Sequence, residues 1–227
     1  MAELIVALDV ASPRAALELV DRLGDVVRWY KVGPMLLLAD GPAIVRGLTD
    51  RGREVFLDLK WHDIPTTVAG AVAAAADAGV ALATVHLAGG PRMLEAAAGA
   101  RHGRVRLAGV GVLTSLDAAE YGAILGRPVA NLSQEQQRLV RLGMAAGLDG
   151  YVAAAAEARA VRTLAGTAAA IVVPGVRRAT DAAADQVRTA TPRQAAEAGA
   201  DYLVVGRPVT RAADPAEEAR TLVEELR

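Results

Sequence analysis

A chain of 227 residues can bury a full core without disulfide or metal staples and suits a single barrel-sized domain. The lack of cysteine excludes disulfides and thiolate metal sites, and fits a reducing cytoplasm as the expected location. A net charge of −1 offers no basic surface for nucleic acid, no apolar run reaches the length of a membrane span, and the first residues lack the basic and apolar segments of a secretory leader.

Short β-rich runs alternate with longer helical ones. Residues 4–10 read as an apolar strand carrying Asp9 at its end, and Ser12 and Pro13 open a helix over 13–23. A strand over 29–33 precedes a helix over 42–51 that Gly52 closes, and a strand over 54–60 precedes a helix over 66–78 that Gly79 closes. A fourth strand covers 83–87, with a helix over 91–101, and a fifth covers 106–114. The next crossover is longer. It holds a helical piece at 118–125 and a helix over 133–146, where Ser133 and Gln136 suit a capping box. A strand over 150–153, a helix over 155–164, a strand over 169–173 and a helix over 191–198 capped by Thr191 follow. A strand over 202–206 and a helix over 214–226 end the series. Eight such units without a linker or low-complexity segment predict a single-domain α/β fold, a closed (β/α)₈ barrel, rather than an open sheet.

Of the 25 basic side chains only two, Lys31 and Lys60, are lysine; the rest are arginine. A compositional bias explains this if the two lysines are incidental. The sharper reading is that arginine cannot serve at these positions, because a guanidinium does not release a proton and an ammonium can.

Active sites of this fold lie at the C-terminal ends of the strands. Asp9, Lys31, Asp58, Lys60, His86, Thr114, Arg177 and Arg207 all fall at or near that face, with Asp63 just beyond. Asp58 and Lys60 are two residues apart and share one side of their strand, while Leu57 and Leu59 share the other. If the leucines pack on the helices, the charged pair faces the barrel mouth; otherwise it is a solvated strand end. The loops after the seventh and eighth strands are the common phosphate grip of the fold. Gly206 allows close backbone approach to an anion and Arg207 can bind it with two N–H groups, although a plain turn with a surface charge is the alternative. His62, His86 and His102 have no metal-site spacing. His102 reads as a surface residue and His86 as a hydrogen-bonded barrel residue.

The run Asp58-Leu59-Lys60-Trp61-His62-Asp63-Ile64-Pro65-Thr66-Thr67-Val68 resembles the core motif of orotidine monophosphate decarboxylases. Leu8-Asp9-Val10, Tyr30-Lys31-Val32-Gly33, Leu113-Thr114-Ser115, Pro174-Gly175-Val176-Arg177, Asp185-Gln186 and Val205-Gly206-Arg207-Pro208 match the family in the same order, across nearly the whole chain. Departures are small: Trp61 in place of a smaller aromatic, Thr66 where asparagine is common, and Leu87 after His86.

The resemblance implies removal of CO₂ from a pyrimidine nucleotide with neither metal nor cofactor. It implies an alternating charged array of Lys31, Asp58, Lys60 and Asp63, with Asp63 reaching the neighbouring subunit's site, hence a homodimer. By the same resemblance Asp9 and Lys31 contact the ribose, Thr67 contributes across the interface and Thr114 touches the pyrimidine. Gln186 bridges base and phosphate, Gly206 and Arg207 hold the phosphate, and Arg177 lies in the same ligand loop. Three rivals remain. Metal-dependent sugar-phosphate barrels share Asp-x-Lys-x-x-Asp but resemble enzymes with a carboxylate where this chain has Lys31. Schiff-base chemistry at Lys60 needs a neutral amine, which flanking carboxylates disfavour. A nucleotide-binding barrel without catalysis would have no use for all four charges.

Overall fold

The computed structural model describes residues 2–176 and 190–226. Eight parallel strands form it: β1 (Glu3–Ala7), β2 (Trp29–Val32), β3 (Glu54–Trp61), β4 (Leu82–His86), β5 (Arg106–Val110), β6 (Gly150–Val152), β7 (Ala170–Pro174) and β8 (Tyr202–Val205). Each pairs with the next, and β8 returns to β1 with Leu4 opposite Leu203, so the sheet closes as the alternating sequence predicts.

The connecting helices are α1 (Pro13–Leu23), α2 (Pro34–Asp40), α3 (Ala43–Thr49), α4 (Pro65–Asp77), α5 (Gly90–Gly99), α6 (Ala118–Leu125), α7 (Leu132–Ala145), α8 (Ala155–Ala165), α9 (Pro192–Glu197), α10 (Arg207–Thr210) and α11 (Pro215–Glu224). Most begin as the sequence suggests. The Ser12 hydroxyl accepts from Ala15 N–H before Pro13, and Thr191 exchanges hydrogen bonds with Gln194 before and after Pro192. The capping box expected at Ser133 and Gln136 is absent. Helix α7 starts earlier, capped by Asn131, and Gln136 is fully buried with its amide turned into the barrel wall. Two short helices, α2 and α10, stand in segments to which the sequence assigns no helix. Each has proline at its first turn, and the next glycine, Gly41, closes α2.

Alternation along the strands builds two apolar layers. Ile5, Ala7, Trp29, Phe56, Leu82, Ala108, Val172, Tyr202 and Val204 fill the barrel. Val6, Leu8, Tyr30, Val55, Leu57 and Leu203 face the helices and join the larger core. The N-terminal end of the barrel is plugged by the first residues of three strands. Trp29 and Tyr202 meet edge to face at 5.0 Å, and the Arg106 guanidinium lies over both rings and donates to the Tyr202 hydroxyl at 2.7 Å. With that end closed by packing, the cavity lined by Asp9, Lys31, Asp58 and Lys60 opens at the other.

Candidate active site

Phe56 lies inside the barrel and Leu57 outside it. Asp58 and Lys60 keep the parity of Phe56 and reach the C-terminal mouth, with Leu59 packed on the outer core, which settles the choice left open by the sequence. They line a cavity of about 560 Å³ together with Asp9, Lys31, Thr114, Gly206 and Arg207.

The charges alternate in space. Lys31 Nζ is 3.1 Å from Asp9 Oδ1 and 4.0 Å from Asp58 Oδ2. Lys60 Nζ donates to both oxygens of Asp58 at 2.9 Å. Asp58 is the shared acceptor, with 14% side-chain exposure against 38% for Lys60. Each ammonium therefore has a carboxylate partner, and each carboxylate is held between strand ends of a closed sheet.

Strand β3 bends to achieve this. Leu57 pairs with Ala83 and Trp61 with Val85, so β3 advances four residues while β4 advances two. The surplus forms a bulge at the charged motif. Within it Lys60 adopts φ of 50°, the only non-glycine residue with positive φ among those described. Such backbone costs an L-residue about 1–2 kcal/mol, and residues held this way gather at functional sites. Sequence inspection has no signal for the bulge, since every residue from Glu54 to Lys60 reads as ordinary strand.

Asp63 and Thr67 are not in this cavity. Both are exposed, and they line a separate depression of about 320 Å³ with Trp61 and His62 that Lys60 also borders. The Asp63 carboxylate accepts from Ile64 N–H at 2.6 Å, and Ile64 beside it is 64% exposed. The array within one chain is therefore Asp9, Lys31, Asp58 and Lys60, with Asp63 turned outward. Arg177 and Gln186, read from the sequence as ligand-loop residues, lie outside the described residues.

At the far side of the cavity, β8 ends in Gly206, and Arg207 opens α10 rather than a loop. A Cβ at Gly206 would meet only Ala7 at 3.7 Å, so the value of glycine there is its bare backbone, not a tight fit. Arg211, one turn after Arg207, lines the same end. It passed unnoticed in the sequence, although the i, i+4 spacing of two arginines after a strand end was available as a signal.

Two further side chains shape the mouth. The expected strand over 106–114 ends at Val110 because the Gln136 side chain takes over: its carbonyl accepts from Val112 N–H at 2.8 Å and its amide donates to Val152 O at 2.9 Å. A Cβ at Gly111 would fall 2.2 Å from Gln136 Oε1, so glycine is required beside that bridge. His86, expected as a hydrogen-bonded barrel residue, accepts from Ala88 N–H and stacks on His62 at 5.1 Å. Burial, and then the neighbouring charges of His62 and Lys60, push its pKa below the ordinary value of 6.5. His102 is a surface residue as expected, hydrogen-bonded to Asp77.

Among the described residues no three histidine or carboxylate side chains gather in a ligating arrangement, and no helix is long and apolar enough to cross a membrane.

The sequence profile described as the orotidine 5′-phosphate decarboxylase / HUMPS family matches residues 2–222. A protein of Laribacter hongkongensis named orotidine 5′-phosphate decarboxylase is 48% identical over 95% of this chain and 89% of its own length. One of Alcanivorax borkumensis with the same name is 45% identical over 98% and 96%. The crystal structure of the orotidine 5′-phosphate decarboxylase of Lactobacillus acidophilus superposes with a TM-score of 0.87 at 30% identity, covering 100% of this chain and 99% of that one. Sequence match, barrel topology and overall superposition agree along the whole chain, which belongs to the orotidine 5′-phosphate decarboxylase / HUMPS family.

Proposed function

We propose that this protein is a carboxy-lyase that converts orotidine 5′-monophosphate to uridine 5′-monophosphate in pyrimidine synthesis, using side chains alone. The observation that carries this is the Lys60 ammonium, hydrogen-bonded 2.9 Å from Asp58 at one end of a cavity whose other end is Gly206 and Arg207. Gly206 and Arg207 hold the phosphate, and Gln186 bridges base and phosphate. Asp9 and Lys31 receive the ribose hydroxyls and Thr114 the pyrimidine. The nucleotide's C6 carboxylate then lies against Asp58 and Lys60. The C6–carboxylate bond breaks, CO₂ leaves, and the electron pair stays on C6. Lys60 stabilises that charge as it develops and delivers a proton to C6, then regains one from water. Binding of the remote phosphate contributes by ordering the site for a step in which it takes no part.

In this reading the protein acts in the cytoplasm as a homodimer, and Asp63 and Thr67 complete the partner's site. Their outward placement beside exposed Ile64 supports that role. The sugar-phosphate reading suits the site less well, because a metal ion at Asp58 would meet the ammonium groups of both Lys31 and Lys60. The test is conversion of orotidine 5′-monophosphate by the purified protein, followed by the change in ultraviolet absorbance as the 6-carboxylate leaves the ring and by release of CO₂, before and after exhaustive chelation. Full turnover in both is expected. No uridine 5′-monophosphate, or turnover that chelation abolishes and Mg²⁺ restores, overturns the proposal.

A further inference from the structure

Thr84 is a fully buried hydroxyl on β4 that sits between the two most important groups of the cavity. Its Oγ1 is 2.8 Å from Lys60 N and 3.0 Å from Asp58 Oδ1. The direction of both hydrogen bonds follows from chemistry. A backbone N–H can only donate, so the hydroxyl oxygen accepts from Lys60. An ionised carboxylate can only accept, so the hydroxyl proton goes to Asp58. Thr84 thereby joins the backbone of one charged residue to the side chain of the other.

The bulge explains why such a link is needed. Between the Leu57–Ala83 and Trp61–Val85 pairs the ladder is out of register, so the Lys60 N–H has no strand carbonyl in sequence with its neighbours. A buried N–H must find a partner. The Thr84 side chain supplies one at the residue whose φ is 50°. At the same time it occupies one lone pair of Asp58 Oδ1, fixing the carboxylate plane on which both Lys60 hydrogen bonds depend.

We propose that Thr84 is a positioning residue for the decarboxylation assigned above: it holds the left-handed turn that projects Lys60 and the carboxylate plane that receives its ammonium. This rests on the proposed reaction for its kinetic consequence but not for its structural one. Thr84 is not among the residues lining the cavity, so its loss acts through Asp58 and Lys60 at the reacting end.

The test compares Thr84→Val, which keeps the shape and removes the hydroxyl, with Thr84→Ser, which keeps the hydroxyl. Leaving the Lys60 N–H and Asp58 without this partner is expected to lower kcat by roughly 10- to 100-fold in Thr84→Val while KM stays within about threefold. Thr84→Ser is expected to recover kcat to within about threefold of wild type. A second measurement is independent of turnover. The chain has only two lysines, so ¹³Cε-lysine labelling yields two ammonium-adjacent NMR signals. The Lys60 signal should move in Thr84→Val and return in Thr84→Ser, with Lys31 displaced less. Failure of the wild type to decarboxylate the nucleotide would sink the reaction and leave the lysine spectra to decide the role of Thr84. An unmoved Lys60 signal, or a Thr84→Val enzyme with kcat within about threefold of wild type, overturns the positioning role. So does equal damage in both variants. If Thr84→Val does not fold, the comparison of Thr84→Ser with Thr84→Ala decides on the same criteria.

Discussion

Replacing Lys60 by arginine tests the proposed chemistry with little collateral damage. The left-handed backbone costs arginine the same as lysine, about 1–2 kcal/mol, so that cost cancels. The charge opposite Asp58 is retained. With Lys60 38% exposed, the ion pair contributes no more than about 1 kcal/mol to stability in either protein. The melting temperature should therefore stay within a few degrees of wild type, at about 2–4 °C per kcal/mol for a chain of this size. Turnover is a different matter. General-acid catalysis contributes about 10²–10⁴-fold, equivalent to roughly 3–5 kcal/mol of barrier, and a guanidinium cannot release the proton. We expect Lys60→Arg to bind uridine 5′-monophosphate by calorimetry with affinity near wild type and to lose at least about a hundredfold in single-turnover decarboxylation. A variant that folds, binds and turns over within about tenfold of wild type, about 1.4 kcal/mol of barrier, would refute Lys60 as the proton donor.

Lys60→Gly should be more stable than Lys60→Ala by about 1 kcal/mol although both lack the ammonium, because only alanine retains the penalty of positive φ; equal melting temperatures would remove the case for backbone strain. Mixing inactive Lys60→Ala with inactive Asp63→Ala should restore activity, since subunit exchange creates one site bearing neither change, and no recovery after proven exchange would contradict a shared site. Burial, and then the charges of His62 and Lys60, hold the His86 pKa in the fold below the unfolded value of 6.5. As pH falls through 6.5 the unfolded chain takes up a proton that the native state does not, and stability declines until the native pKa is passed. Urea unfolding between pH 7 and 5 should show that decline in wild type and less of it in His86→Gln.

The barrel was legible because its signals are local: alternating apolar strands, proline and capping residues at helix starts, and glycines at their ends. The side-chain parity of Asp58 and Lys60 followed from the same alternation. What lay beyond the sequence was long-range. The bulge in β3 depends on how β4 is registered against it, and the role of Thr84 depends on that bulge. Its only trace in the sequence was a polar residue two positions before His86 in an otherwise apolar strand. Gln136 misled for a related reason. Its spacing from Ser133 suits a helix cap, yet the strand-end N–H of Val112 and carbonyl of Val152 claim its amide instead. Asp63 shares a motif with Lys60 but faces the other way, because the chain turns into α4 directly after the bulge.

The plug formed by Trp29, Tyr202 and Arg106 lies at the opposite end of the barrel from every charged residue of the cavity. That separation bears on how such a protein can change over generations. Substitutions at the plug alter how firmly the eight strands stay closed and leave the mouth's charges alone. Substitutions at the mouth alter chemistry on a frame already secured elsewhere. A lineage can therefore tolerate a costly backbone at Lys60, or explore new residues around it, while the far end supplies the margin of stability that keeps the trial variants folded.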